Sequence, residues 1–257
     1  MKNVKWHWLY IFSVYLFLYL PLIILIIFSF NEASSGTIWK GFSLKWYEKL
    51  FNSSALISGL VNSLIVGVSA ATLVTVIGTL SAVTLFRFKF FGKNFIMSLL
   101  YILIMSPEII MGISLLLLFK FLSMNLGFQT LLITHITLCL PFVMAVLFTR
   151  LADFDMHIIE AAKDLGANEL QTFFHIILPS ILPAVIAAWI LSFTISMDDS
   201  ICAFFTSGPQ FEILPQKIYA MVRTGVKPEV NALSTLIFGA SMLIIIIAQI
   251  MLKERKK

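Results

Sequence analysis

Six stretches of this chain run for about 20 residues or more with almost no charge: 8–30, 62–86, 96–122, 127–149, 180–205 and 231–252. Each is long enough to cross a bilayer with some tilt. No water-facing fold can absorb that pattern, because too little polar surface remains to cover it. Only 12% of the 257 residues are charged, against about 25% in an ordinary soluble domain. A soluble enzyme, a disordered chain and a disulfide scaffold are excluded on these grounds. The expected fold is an all-α membrane protein of six transmembrane helices, one transmembrane domain over residues 1–257. The first run is too long for a signal h-region and lacks a small-residue cleavage site, so it is expected to remain as a helix. Cys139 and Cys202 fall inside apolar runs and read as small apolar filler rather than a disulfide or metal pair.

The formal net charge of +5 is no nucleic-acid signal here; what matters is where the basic residues lie. Lys2, Lys5, Arg87, Lys89, Lys93, Arg150, Lys163, Lys253, Arg255, Lys256 and Lys257 share one side of a six-span topology. Lys40, Lys45, Lys49, Lys217, Arg223 and Lys227 lie on the other, and Lys120 near the outer end of the third span can snorkel. Basic residues favour the cytoplasmic side, which predicts both termini inside. Two outer segments are long. Residues 31–61 carry Trp39, Phe42, Trp46 and Tyr47, and residues 206–230 carry Pro209, Pro215 and Pro228 around Lys217–Val222. They read equally as an interfacial aromatic belt or as a docking surface for an external partner.

The inner link 150–179 is too patterned to be a plain connector. Asp155 is placed to cap a short helix, and Ile158, Ala161, Ala162 and Leu165 form one apolar face at helical spacing. Gly166 suits a left-handed stop. Asn168 with Gln171 forms a capping box for a second helix, and Pro179 and Pro183 mark the start of the fifth span. Two such short helices bury little alone, so the apolar face is expected to need a partner.

Within that link Glu160, Ala161, Ala162, Gly166, Ile176, Leu178 and Pro179 match, position by position, the EAA loop of bacterial ABC importer permeases. The segments 105–119, 192–199 and 226–236 resemble the polyamine branch, and most nearly the second of the two permease subunits of spermidine/putrescine importers. The likeness runs from about Tyr19 to Ile250, with Glu108 a slight departure at a position where the family pattern allows Asp, so charge is kept but reach differs. The resemblance implies the type I ABC importer permease fold in a bacterial inner membrane, with the loop as a coupling helix seated on an ATPase. It also implies four partners beside the bilayer: a related second permease, two ATPase copies and an external polyamine-binding protein. Transport would run by alternating access. No G-x-x-x-x-G-K-[ST] loop occurs in the sequence, so ATP and Mg would be held by the separate ATPase and no cofactor by this chain.

Ionisable groups within spans are costly and so are functional candidates. Three carboxylates qualify: Glu108, Asp198 and Asp199. At about 1.5 Å per residue, Glu108 would lie near mid-membrane and Asp198 in the outer part. Pro107 disturbs the helix before Glu108 and would free backbone carbonyls that suit a cation. Carboxylates at two depths suit a polyamine's spaced ammonium groups. Tyr101, Trp189, Phe193 and Met197 are candidates to hold its methylene stem. Because neighbours on a helix point about 100° apart, only one of Asp198 and Asp199 is expected to face the pathway, and the other is equally suited to a helix cap. His135 reads as a hydrogen-bonded packing residue, and the small residues of 67–82 as helix-packing positions. Another small cationic or organic solute fits the same features. An intramembrane acid–base enzyme does not, since adjacent aspartates are poorly placed to form one dyad.

Overall fold

The computed structural model describes residues 4–34, 38–223 and 228–254, with side chains described over 7–34, 38–223 and 228–243. Lys2, Lys227 and residues 255–257, used above for orientation, lie outside the described residues, as do the side chains of Lys5 and Lys253. The described chain is helical: α1 Val4–Ser29, α2 Lys45–Phe51, α3 Ser54–Arg87, α4 Lys93–Met105, α5 Glu108–Phe121 and α6 Phe128–Ala152 come first. They are followed by α7 His157–Asp164, α8 Glu169–Thr172, a π turn Phe173–Ile177, α9 Leu178–Asp198, α10 Ile201–Thr206, α11 Leu214–Arg223 and α12 Pro228–Glu254.

Four described helical segments are long and apolar enough to cross a membrane: His7–Ser29, Ser54–Arg87, Phe128–Ala152 and Glu169–Asp198. The third apolar run is not the straight span expected over 96–122. It is the pair α4 and α5, bent by 115°. Ser106 sits at ψ 131° in extended backbone, because the residue before a proline is pushed out of the α region. Pro107 continues extended at ψ 131°. A depth for Glu108 counted along one straight helix therefore does not hold. The fifth run is corrected in the same way: its helix begins at Leu178, ends at Asp198, and resumes only at Ile201. The sixth run, 231–252, falls on α12, which is 27 residues long.

The chain divides into two compact units, Met1–Ile57 with Lys217–Lys257, and Ser58–Gln216. In the first, the turn after α1 is organised by Asn31. Its side chain donates to the Ile38 carbonyl (2.7 Å) and accepts from the Ala33 and Lys40 amides. The buried Trp46 indole donates to the Asn31 carbonyl at 2.7 Å, and Lys49 pairs with Glu229 at 2.5 Å. Of the four aromatic residues noted in this segment, Trp46 is thus buried and Tyr47 half-buried, while Trp39 and Phe42 are exposed.

The second unit has its apolar core where α3, α6 and α9 meet, around Val74, Val143, Leu147, Ile181 and Ala188. Glycine permits the close approach: a Cβ at Gly78 would stand 2.5 Å from Val143. At the turn before α6, a Cβ at Gly208 would meet the Leu126 carbonyl oxygen at 2.1 Å. Core residues Ile159 and Ile177 carry this packing into the link between α6 and α9.

Candidate functional site

The two helix breaks in the second unit, at Ser106–Pro107 and at Asp199–Ser200, lie side by side. α10 packs on α5, so tightly that a Cβ at Gly112 would stand 3.2 Å from the Cys202 Cα. The Cys202 thiol donates to the Glu108 carbonyl at 3.3 Å. Between the breaks lies a cavity of about 620 Å³ onto which Glu108, Asp198 and Asp199 all open. Its remaining wall is largely apolar, with Met111, Leu138, Phe142 and Ile195 among the contributors. Glu108 and Asp198 are exposed, whereas Asp199 is 5% exposed.

Asp199 has partners for both oxygens. They accept from the Cys202 and Ala203 amides at 3.0 Å each, capping α10. One oxygen also lies 3.3 Å from Nε2 of the buried His135, whose Nδ1 meets the Ser196 hydroxyl at 2.5 Å. The far end of α10 is fixed by the Thr130 hydroxyl, which donates to the Thr206 carbonyl at 2.8 Å. α6 therefore holds α10 at both ends. His135 is a packing residue, as its position in an apolar run suggests, set between Ser196 and Asp199. Asp199→Ala is expected to destabilise the protein by about 1–3 kcal/mol, since it leaves the buried Cys202 and Ala203 amides without their acceptor. Thermal unfolding in detergent reads this as a lower midpoint, and an unchanged midpoint would refute the structural role.

The aromatic candidates do not reach the cavity. Trp189 and Phe193 stack in parallel with centroids 5.7 Å apart, and the Trp189 indole donates to Thr72 on α3 at 3.1 Å. Phe193 and Met197 close around Gly67 of the same helix, within 3.4 Å of where its Cβ would stand. This face of α9 packs on α3 because Gly67 leaves room for it. Tyr101 is 62% exposed on α4 and is not part of the cavity wall. Phe142, the aromatic residue that does line it, went unnoticed because it carries no charge and lies in an unbroken apolar run.

The link over 150–179 folds as its residue pattern indicates. The Asp155 carboxylate accepts from the His157 amide at 3.0 Å. Gly166 adopts φ +85°, and Asn168 and Gln171 form a reciprocal capping box at 2.8 and 2.9 Å. The face of α7 needs correction: Ala162 turns inward beside the buried Ile159, while Ile158, Ala161 and Leu165 face outward. Leu165 is 89% exposed and Leu170 70%. Glu160 is also exposed, with His157 3.2 Å from its carboxylate. Ile176 and Leu178 are half-buried and Pro179 exposed. Leu165, Gly166, Gln171, His175 and Ile176 border a cavity of about 420 Å³. Glu169 ties the link down, pairing with Lys163 at 3.3 Å and with Arg87 at the foot of α3.

Helical spans with two abutting breaks and a structured link between two of them fit a subunit of a membrane permease. The chain belongs to the family described as binding-protein-dependent transport system inner membrane component, whose model matches residues 74–253. Among curated relatives it is 48% identical over 229 residues to the spermidine/putrescine transport system permease protein PotC of Escherichia coli K12, covering 89% of this chain and 87% of the relative. It is 47% identical to PotC of Haemophilus influenzae, covering 88% of each. It is 41% identical to the putrescine transport system permease protein PotI of Escherichia coli K12, covering 90% of this chain and 85% of that one. A solved bacterial ABC transporter involved in the import of the acidic polysaccharide alginate superposes with a TM-score of 0.74 at 16% identity, over 97% of this chain and 94% of that one. The fold is accordingly that of an ABC importer permease, a multi-pass inner-membrane component that is not itself an enzyme.

Proposed function

We propose that this chain passes polyamines, spermidine or putrescine, through the membrane as one permease of an ATP-driven importer. The observation that carries the reading is the cavity between the two helix breaks, where Glu108 and Asp198 offer carboxylates and the wall is mainly apolar. Ammonium groups separated by methylenes match that alternation, and an ionisable residue in a span needs such a counter-charge. The names of the relatives support the same cargo. Asp199, occupied by the α10 amides and His135, contributes negative potential rather than a free ligand. The partners in this reading are a second permease, two ATPase copies that hold ATP and Mg, and an external binding protein. The outward Ile158, Ala161 and Leu165 form the contact with one ATPase. Both termini face the cytoplasm, as the basic residues indicate.

The test is uptake of labelled spermidine and putrescine in cells lacking their own polyamine importers, supplied with this permease and its partner subunits. Saturable, energy-dependent uptake is expected, competed by either polyamine and not by a neutral amine. Uptake of a different cation with no competition by polyamines would overturn the cargo.

A further inference from the structure

The hairpin joining α3 to α4 packs three basic and four aromatic residues into Arg87–Phe95, and no acidic residue follows before Pro107. Arg87 turns inward to Glu169, but the rest turns out. Phe91 is fully exposed, Phe95 68% exposed, and Phe88 and Phe90 exceed 40%. Lys89 is exposed and Lys93 half-buried, and neither is ion-paired among the described residues. Gly92, at φ +92°, reverses the chain so that Lys93 opens α4. Lys89, Phe90, Phe91, Lys93 and Phe95 border an open concavity of about 810 Å³.

Four phenyl rings turned toward water would be costly, since each is a large apolar surface. This hairpin, however, joins a spanning helix to the apolar α4, so it emerges at a membrane face. Rings at that level rest at the boundary of headgroups and acyl chains, while lysine stems extend to the phosphates. Two unpaired ammonium groups with no acidic neighbour in sequence select an anion over a zwitterion. We propose that this hairpin is a binding site for an acidic phospholipid. Lys89 and Lys93 hold the headgroup phosphate, and Phe91 and Phe95 lie against the acyl chains. The site is separate from the Glu108 cavity and does not depend on the cargo.

Native mass spectrometry of the full chain, released from mixed phosphatidylglycerol and phosphatidylcholine, tests it. Phosphatidylglycerol should be retained in preference. Lys89→Gln with Lys93→Gln should reduce that preference about 25-fold at low ionic strength, as each basic residue near an anionic surface is worth about fivefold. Phe91→Ser should weaken retention of both lipids alike, and Lys120→Gln should change neither. Should the double variant fail to fold, raising the salt with the unaltered chain should erase the preference. A preference that survives either treatment, or none at the outset, overturns the site. Protection of the hairpin from labelling only when the ATPase is added would assign it to a protein instead.

Discussion

In the reconstituted importer, Gly166→Val is expected to lower ATP-driven uptake about 5–150-fold, the span of a site-to-site coupling of about 1–3 kcal/mol. The binding protein should still dock. Gly166 holds φ +85° with open space around it, so the penalty is one of backbone and not of collision. An L-residue in that conformation costs about 1–2 kcal/mol, and the valine is expected to be relieved by opening the turn between α7 and α8. That shift would displace the exposed Leu165 and Leu170 from a partner's groove without touching the core beneath Ile159 and Ala162. Gly166→Asn, which tolerates the left-handed region, should restore much of the rate. Uptake by the valine variant at the unaltered rate would remove the coupling role from this turn.

Neutralising the cavity carboxylates should act on cargo and leave assembly alone. Glu108→Gln keeps the shape of the side chain and removes its charge. Hydrogen bonds to charged groups are worth about 1.5–3 kcal/mol, so polyamine uptake should fall roughly 10–150-fold, with a comparable loss for Asp198→Asn. Glu108 and Asp198 are exposed to the cavity and no buried partner is abandoned, so both variants should unfold close to the parent midpoint. This separates them from Asp199→Ala, where stability itself should drop. Unaltered uptake kinetics in Glu108→Gln would take that residue out of the pathway.

The long apolar helices and the inner link were legible because their signals are local. Apolar runs declare themselves within 20 residues, and the Asn168–Gln171 box and the Gly166 stop are decided by nearest neighbours. The breaks were half legible. Pro107 announced one, but its 115° bend depends on what α5 finds to pack on, and α10 lies more than 90 residues further along the chain. The role of Asp199 needed the fold as well. Its cap could be imagined from sequence, but its pairing with His135 joins residues far apart in the chain. The surroundings of the aromatic face of α9 were hidden for the same reason: helical spacing put Trp189, Phe193 and Met197 on one side, and only Gly67 on α3 reveals what that side meets. On α7, apolar spacing fits two overlapping faces, and the choice between Ile158 and Ile159 as the inward residue was made by packing.

The double attachment of α10 to α6, through Asp199 with His135 and through Thr130 with Thr206, bears on how the cavity can change shape. Those two helices behave as a single block, so one wall of the cavity is fixed. Any widening has to be taken up across from it, at the elbow between α4 and α5, where Pro107 lacks an amide hydrogen and no continuous helix needs to be broken. Because α5 packs on α10, the arm left free at this two-residue pivot is α4, and Glu108 stays with the fixed wall.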